Sequence, residues 1–232
     1  GTSPMPDETE GMRGSDWHRN VHEFYTFDGA RALAERMKDW KGGRLVVHIS
    51  EMPIKCPVAP LEFSFLADSY LRKRGLRDKT EIVYVTPLSG AFTKPIASKI
   101  LNGLLDDKKI NVVTDFNIGS VDNERHKIVS WDEKEVDYDL LVTVPTNMGS
   151  PMIETSGMGD ELNYVATDKH TLQAKGHENI FVIGDATDLP SSKAGSVAHF
   201  EADILLENML SIIDGRQPRQ RFDGHANCYI ES

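Results

Sequence analysis

Short β-branched apolar runs alternate along this chain with segments of helical period, and that alternation constrains its fold more than any other feature. Arg44–Ser50 (RLVVHIS) and Thr80–Thr86 (TEIVYVT) are strand-sized and nearly continuous in apolar character, as strands buried on both faces of a parallel sheet require. Around them, apolar residues recur at helical spacing: Ala30, Leu33, Ala34 and Met37, then Leu61, Phe65, Leu66 and Tyr70, then Ile96, Ile100, Leu104 and Leu105. These patterns predict helices over 29–40, 61–74 and 95–107. Asp28 is the expected N-cap of the first helix, Gly42-Gly43 its stop, and Gly75 closes the second. Strand and helix in alternation predict an α/β fold of the nucleotide-binding type.

Further strand candidates lie at 110–114, 116–121, 127–130 and 140–144, the middle pair divided by the polar turn Asp122-Asn-Glu-Arg125. They predict a smaller antiparallel layer followed by a return strand. Beyond Pro151 come a strand at Ile180–Ile183 and a long helix from Ala194 to Ile213 that stops at Asp214-Gly215. Residues 1–25 read as an extended connecting segment, 26–150 as one domain, and 151–232 as another whose tail docks through Phe222, His225, Cys228 and Tyr229.

With 39% hydrophobic and 27% charged residues among 232, the chain can bury a core. Lys and Arg number 26 against 36 Asp and Glu, a net charge of −10, so nucleic acid is not an expected partner: its binding relies on clustered cations that release counterions. No apolar run approaches the roughly 18 residues of a membrane span. The first residues show no signal-peptide pattern and Gly, not Met, stands at position 1, so the chain reads as part of a longer protein, cytoplasmic or peripheral to a membrane.

The strongest chemical signal is Asn179-Ile-Phe-Val-Ile-Gly-Asp185-Ala-Thr, followed after Pro190 by Ser191-Ser-Lys193-Ala194-Gly at the start of the long helix. A ligand at the end of such a strand would meet free backbone N–H groups and the positive end of the helix dipole. Gly184 permits close backbone approach, and Asp185 can accept hydrogen bonds from sugar-like hydroxyls. By residue types alone, Asp185 serves equally as a local turn cap. Lys193, by composition, reads as a solvated lysine at a helix start and His199 as a packed residue.

Cys56 follows Lys55 and precedes a predicted helix, two features that lower a thiol pKa and favour the reactive thiolate. Cys228 lies far from it in sequence, so the two form a pair only if the tail folds back. The eight histidines show no ligand spacing, and no metal is expected. Glu51, Glu62 and Glu201 are able to move protons, but none is singled out.

The Gly184-Asp185 segment resembles the second flavin-contacting motif of the FAD-dependent pyridine nucleotide-disulfide oxidoreductases. Within that superfamily the chain is similar to the sulfide:quinone oxidoreductases and the flavocytochrome c sulfide dehydrogenases. Lys55-Cys56-Pro57-Val58-Ala59-Pro60 resembles their Lys-Cys-Pro-Gly-Ala-Pro loop, which holds a redox cysteine. Gly224-His-Ala-Asn-Cys228 resembles the region of their second redox cysteine. Gly1-Thr-Ser-Pro4 resembles the segment that continues from the Ala-Thr-Gly end of their N-terminal flavin half.

The resemblance implies a Rossmann-like FAD/NAD(P)-binding fold: an inserted NAD(P)-like domain over 26–150 and the C-terminal half of a flavin domain over 151–232. It implies FAD as cofactor, contacted by Gly184, Asp185, Lys193 and Ala194, and Cys56 and Cys228 as the catalytic pair. Sulfide would attack a disulfide or polysulfide joining the cysteines, the Cys56 thiolate would react with the flavin, and electrons would pass to a quinone. Peripheral membrane association and homo-oligomerisation of the complete protein belong to the same expectation.

Two departures qualify it. The Gly-x-Gly-x-x-Gly turn that holds the ADP part of FAD is missing, as is the family's usual membrane-associating C-terminal stretch. The strand at Leu45–Ile49 runs into Ser50-Glu-Met-Pro-Ile-Lys, with no glycine and with Glu51 where a pyrophosphate would be repelled, which disfavours a nicotinamide cofactor. A fragment without bound flavin and an NADH-dependent quinone or disulfide reductase are the competing readings.

Overall fold

The computed structural model describes residues 1–232. In chain order its elements are β1 (Thr2–Met5), β2 (Val21–His22), α1 (Phe27–Asp39), β3 (Gly43–Ile49), α2 (Ala59–Lys73), β4 (Thr80–Val85), α3 (Pro95–Asp107) and β5 (Ile110–Val113). Then come β6 (Ile118–Asp122), β7 (Lys127–Ser130), β8 (Glu135–Asp137), β9 (Leu140–Val144), β10 (Thr146–Gly149), α4 (Pro151–Thr155) and α5 (Gly195–Ile213). The chain divides into two units. One comprises Gly1–Ser3, Pro53–Pro57 and Asn147–Tyr229, the other Pro4–Met52, Val58–Thr146 and Ile230–Ser232.

The second, larger unit is built on a five-stranded sheet in the order β2-β9-β3-β4-β5, every neighbouring pair parallel. Leu45 of β3 stands opposite Ile82 of β4 and Leu140 of β9, and Val47 opposite Tyr84 and Val142. All five residues of β9 and the last five of β3 are buried, which is why these stretches are continuously apolar instead of alternating. Buried His48 on β3 places Nδ1 2.9 Å from Thr143 Oγ1 on β9, and burial pushes its pKa down to about 3.

Helices α1, α2 and α3 connect these parallel strands. Thr26, not Asp28, caps α1: Thr26 is extended and its Oγ1 accepts from Gly29 N at 3.0 Å. The helix therefore begins two residues earlier than its apolar spacing suggests. On α2, the buried Asp68 accepts from Arg72 Nε at 2.9 Å and Arg77 Nε at 2.6 Å. Arg77 also donates to the carbonyls of Thr80, Lys108 and Lys109, tying the helix to the loops that flank β4 and β5.

The smaller antiparallel layer is a three-stranded meander, β6-β7-β8. Asp122 Oδ1 accepts from the backbone N–H groups of Glu124 and Arg125, forming the turn anticipated from composition. The short strand β8 has no apolar run to announce it. Residues 1–25 are more than a connecting loop: they contain β1 and β2 and bury Met12 in the core with Val46, Val83 and Phe116.

The smaller unit has little regular structure besides α4 and α5. Ile180–Ile183 does not form a parallel strand. Ala174 N donates to Ile180 O and Val182 N to Leu172 O, and Phe181 bridges Gln173 in antiparallel sense. A strand needs a neighbour as well as an apolar sequence, and here the neighbour is the short Leu172–Ala174 segment. Leu172, Leu189, Val197 and Phe222 form this unit's buried cluster around α5; of the four tail residues singled out, Phe222 is buried while His225, Cys228 and Tyr229 are exposed.

Candidate functional site

The site assembles where α5 begins. The backbone N–H of Cys56 donates to the carbonyl of Lys193 at 2.7 Å, and Lys55 bridges Lys193 in parallel sense. Cys56 adopts φ +50°, a left-handed conformation uncommon outside glycine, and its side chain is exposed. Asn147 Oδ1 accepts from Lys55 N at 3.1 Å and fixes the other side of this loop.

The tail reaches the same place from the opposite end of the sequence. Ser196 Oγ donates to Asn227 O at 2.7 Å and accepts from Asn227 N at 3.3 Å, which sets the exposed Cys228 beside the first turn of α5. Phe222 is buried with its N–H on His170 O at 3.0 Å, and Gln220 N donates to Asn208 Oδ1 at 3.0 Å. Both cysteine segments are thus anchored to residues 193–196, although no disulfide joins Cys56 to Cys228 in the structure.

Gly184 and Asp185 open a 3-10 turn ending at Ala186. Gly184 has φ +67°, and a Cβ there would lie 3.3 Å from the Ala198 methyl, so the position suits glycine on both counts. Its N–H donates to Glu201 Oε2 at 2.5 Å. The half-buried Asp185 carboxylate accepts from Thr2 Oγ1 at 3.3 Å. Ala194 is extended at the N-cap of α5 and no side chain caps the helix, leaving its start suited to an anionic or carbonyl group.

Lys193 is no solvated lysine. It is 5% exposed, its Nζ donates to Asp185 O and Thr187 O at 2.8 Å each, and it lies 3.8 Å from the centre of the Tyr164 ring. Burial pushes its pKa down to about 8 against the opposing pull of Asp185, Asp160, Asp188 and Glu201. His199, expected to pack, is exposed and meets Phe200 edge-on. Glu201 is fully buried with Oε1 unpartnered, and burial raises its pKa. Val197, Glu201 and Asn208 share the buried face of α5, so helical register was the signal that distinguishes Glu201 from the other acids. Thr2 lies within the Gly1-Thr-Ser-Pro4 resemblance, which assigns it no role, and nothing in the sequence pattern announced Asn147 or Tyr164.

For a flavin dinucleotide, the residues present fit one part. The glycine at positive φ, the Asp185 carboxylate and the uncapped start of α5 make a cradle for hydroxyls and a carbonyl or anionic group. The ADP end has no glycine-rich turn in this chain.

No family model matches the chain. Over 229 residues it is 27% identical to the mitochondrial sulfide:quinone oxidoreductase of Dictyostelium discoideum, an alignment covering 97% of this chain and 51% of that protein. Over most of its length the chain is similar to the sulfide:quinone oxidoreductases. Among solved structures, the sulfide:quinone oxidoreductase of Aquifex aeolicus matches it with a TM-score of 0.73 at 17% identity, over 93% of this chain and 53% of that one. A chain of the Tetrahymena thermophila mitochondrial ATP synthase matches with a TM-score of 0.77 at 19% identity, over 96% and 57%. These two likenesses bear on the fold, which is a Rossmann-like α/β fold. The chain spans about half the length of the curated relatives it matches. No helix is long and apolar enough to cross a membrane.

Proposed function

We propose that this chain is the sulfur-handling part of an FAD-dependent oxidoreductase that oxidises sulfide to zero-valent sulfur and delivers the electrons to a quinone. The observation that carries the reading is the convergence of both cysteine segments on residues 193–196, beside the Gly184-Asp185 turn. Hydrosulfide attacks one sulfur of a bridge between Cys56 and Cys228. The bridging bond breaks, one cysteine keeps the added sulfur as a persulfide, and the other leaves as a thiolate. Flavin, when bound, supplies the two-electron acceptor that passes the pair to quinone.

This chain's own residues hold the reacting groups. Lys193 O and Asn147 Oδ1 fix the Cys56 loop, Ser196 fixes the Cys228 tail, Asp185 binds hydroxyls, and Ala194 with the start of α5 receives the electron-rich edge of the ligand. Peripheral association of the whole protein with a membrane and self-association belong to the same proposal. Purified chain incubated with FAD should show flavin absorption bands that bleach on anaerobic addition of sulfide but not of NADH. NADH bleaching alone would favour a nicotinamide-dependent reductase.

A second reading is a non-catalytic scaffold. It is supported by the likeness to a chain within an ATP synthase assembly. A chain that stays colourless after FAD incubation supports this reading and defeats the first.

A further inference from the structure

Two charged side chains are buried against the Gly184–Ala186 turn. Glu201 reaches it from the second turn of α5 and accepts the Gly184 N–H through Oε2, while Lys193, just before the helix, donates to the carbonyls of Asp185 and Thr187. One grips the turn by its donor and the other by its acceptors. Glu201 sits on the helix and Lys193 directly before its N-cap, and their exposures are 0% and 5%. An apolar side chain at position 201 would satisfy the packing of this face, which it shares with Val197. A carboxyl there has to be desolvated, and its Oε1 finds no partner in the chain. Such an arrangement makes sense where a backbone conformation must be held.

We propose that Glu201 is the positioning residue of this turn: with Lys193 it locks Gly184 and Asp185 in the one conformation that presents the Asp185 carboxylate to the hydroxyls of a bound dinucleotide. The identity of that ligand rests on the flavin reading above, whereas the lock does not. Lys193 and Asp185 are the charges that act on Glu201, and Asp160 and Asp188 act in turn on Lys193. Burial raises the Glu201 pKa, so acidification neutralises the carboxylate and weakens its hold on the Gly184 N–H.

Hydrogen exchange of the peptide spanning Gly184, followed by mass spectrometry, reads the lock directly, and FAD titration reads its consequence. Glu201→Ala should speed exchange of that peptide about tenfold or more and weaken FAD binding by a similar factor, because a hydrogen bond to a charged acceptor is lost. Glu201→Gln keeps an acceptor oxygen in the same volume but not its charge, and should fall between the parent and the Ala variant in both at neutral pH. After correction for intrinsic rates, exchange in the parent should accelerate on acidification, and the Gln variant should lose that dependence. Unchanged exchange in the Ala variant would overturn the proposal, as would a Gln variant as impaired as Ala while retaining native circular dichroism. If exchange behaves as expected but even the parent takes up no FAD, the lock stands and the flavin reading falls.

Discussion

Cys56 gives its backbone N–H to the carbonyl of Lys193, the residue whose ammonium holds the turn at Asp185. One lysine thereby fixes a cysteine loop through its main chain and a ligand turn through its side chain. Movement of residues 193–196 would disturb the thiol and the carboxylate together.

Cys56→Ser should abolish sulfide-dependent bleaching of FAD-loaded protein while leaving circular dichroism and thermal midpoint unchanged, since the side chain is exposed. Anaerobic titration with sulfide makes the measurement, and bleaching equal to the parent's would remove Cys56 from the mechanism.

Lys193→Met tests the buried ammonium. Its folded-state pKa, about 8, lies below the ordinary 10.5, so between those values the unfolded chain holds a proton that the native chain has released. Stability contributed by this group therefore rises with pH across that window. Urea midpoints taken from pH 8 to 10.5 should climb more steeply in the parent than in the Met variant, and parallel slopes would refute the assignment.

His48 gives the opposite end of the pH scale. Burial lowers its pKa from 6.5 to about 3, so its contribution is complete above pH 6.5 and is lost as pH falls toward 3. His48→Leu should flatten the acid limb of the stability profile, measured by urea unfolding at pH 6.5, 5 and 4. A variant with an unchanged acid limb would show that other groups dominate it.

Asp68 anchors α2 through Arg72 and Arg77. Asp68→Ala leaves the largely buried Arg77 guanidinium without its carboxylate and should cost about 3 kcal/mol, with Asp68→Asn costing less. Equilibrium unfolding in urea checks the order of the two variants, and equal losses would mean that charge is not the issue.

The parallel sheet and its helices were legible in advance because their signals are local. Pro95 opens α3 at N1, and β7 and β9 lie where their apolar runs do. The errors fall where a partner decides. Ile180–Ile183 has strand composition but only a short antiparallel neighbour, and the cap of α1 is Thr26 because backbone geometry favours it over Asp28. Of the candidate site, Gly184, Asp185, Lys193, Ala194 and the two cysteines could be named from motifs. Their assembly could not, since the contacts that join them are hydrogen bonds between residues far apart in the chain.

By itself the sequence determined the alternation of strands and helices, the family likeness, and which residue types are available for sulfur and flavin chemistry. These depend on periodicity and local motif, which are properties of neighbouring residues. Only the tertiary structure decided that Lys193 is buried and bonded to carbonyls, that Glu201 holds the Gly184 N–H, and that the tail returns to Ser196. Burial and long-range hydrogen bonding depend on what the fold brings alongside, and that physical context turns an ordinary lysine and glutamate into the supports of the site.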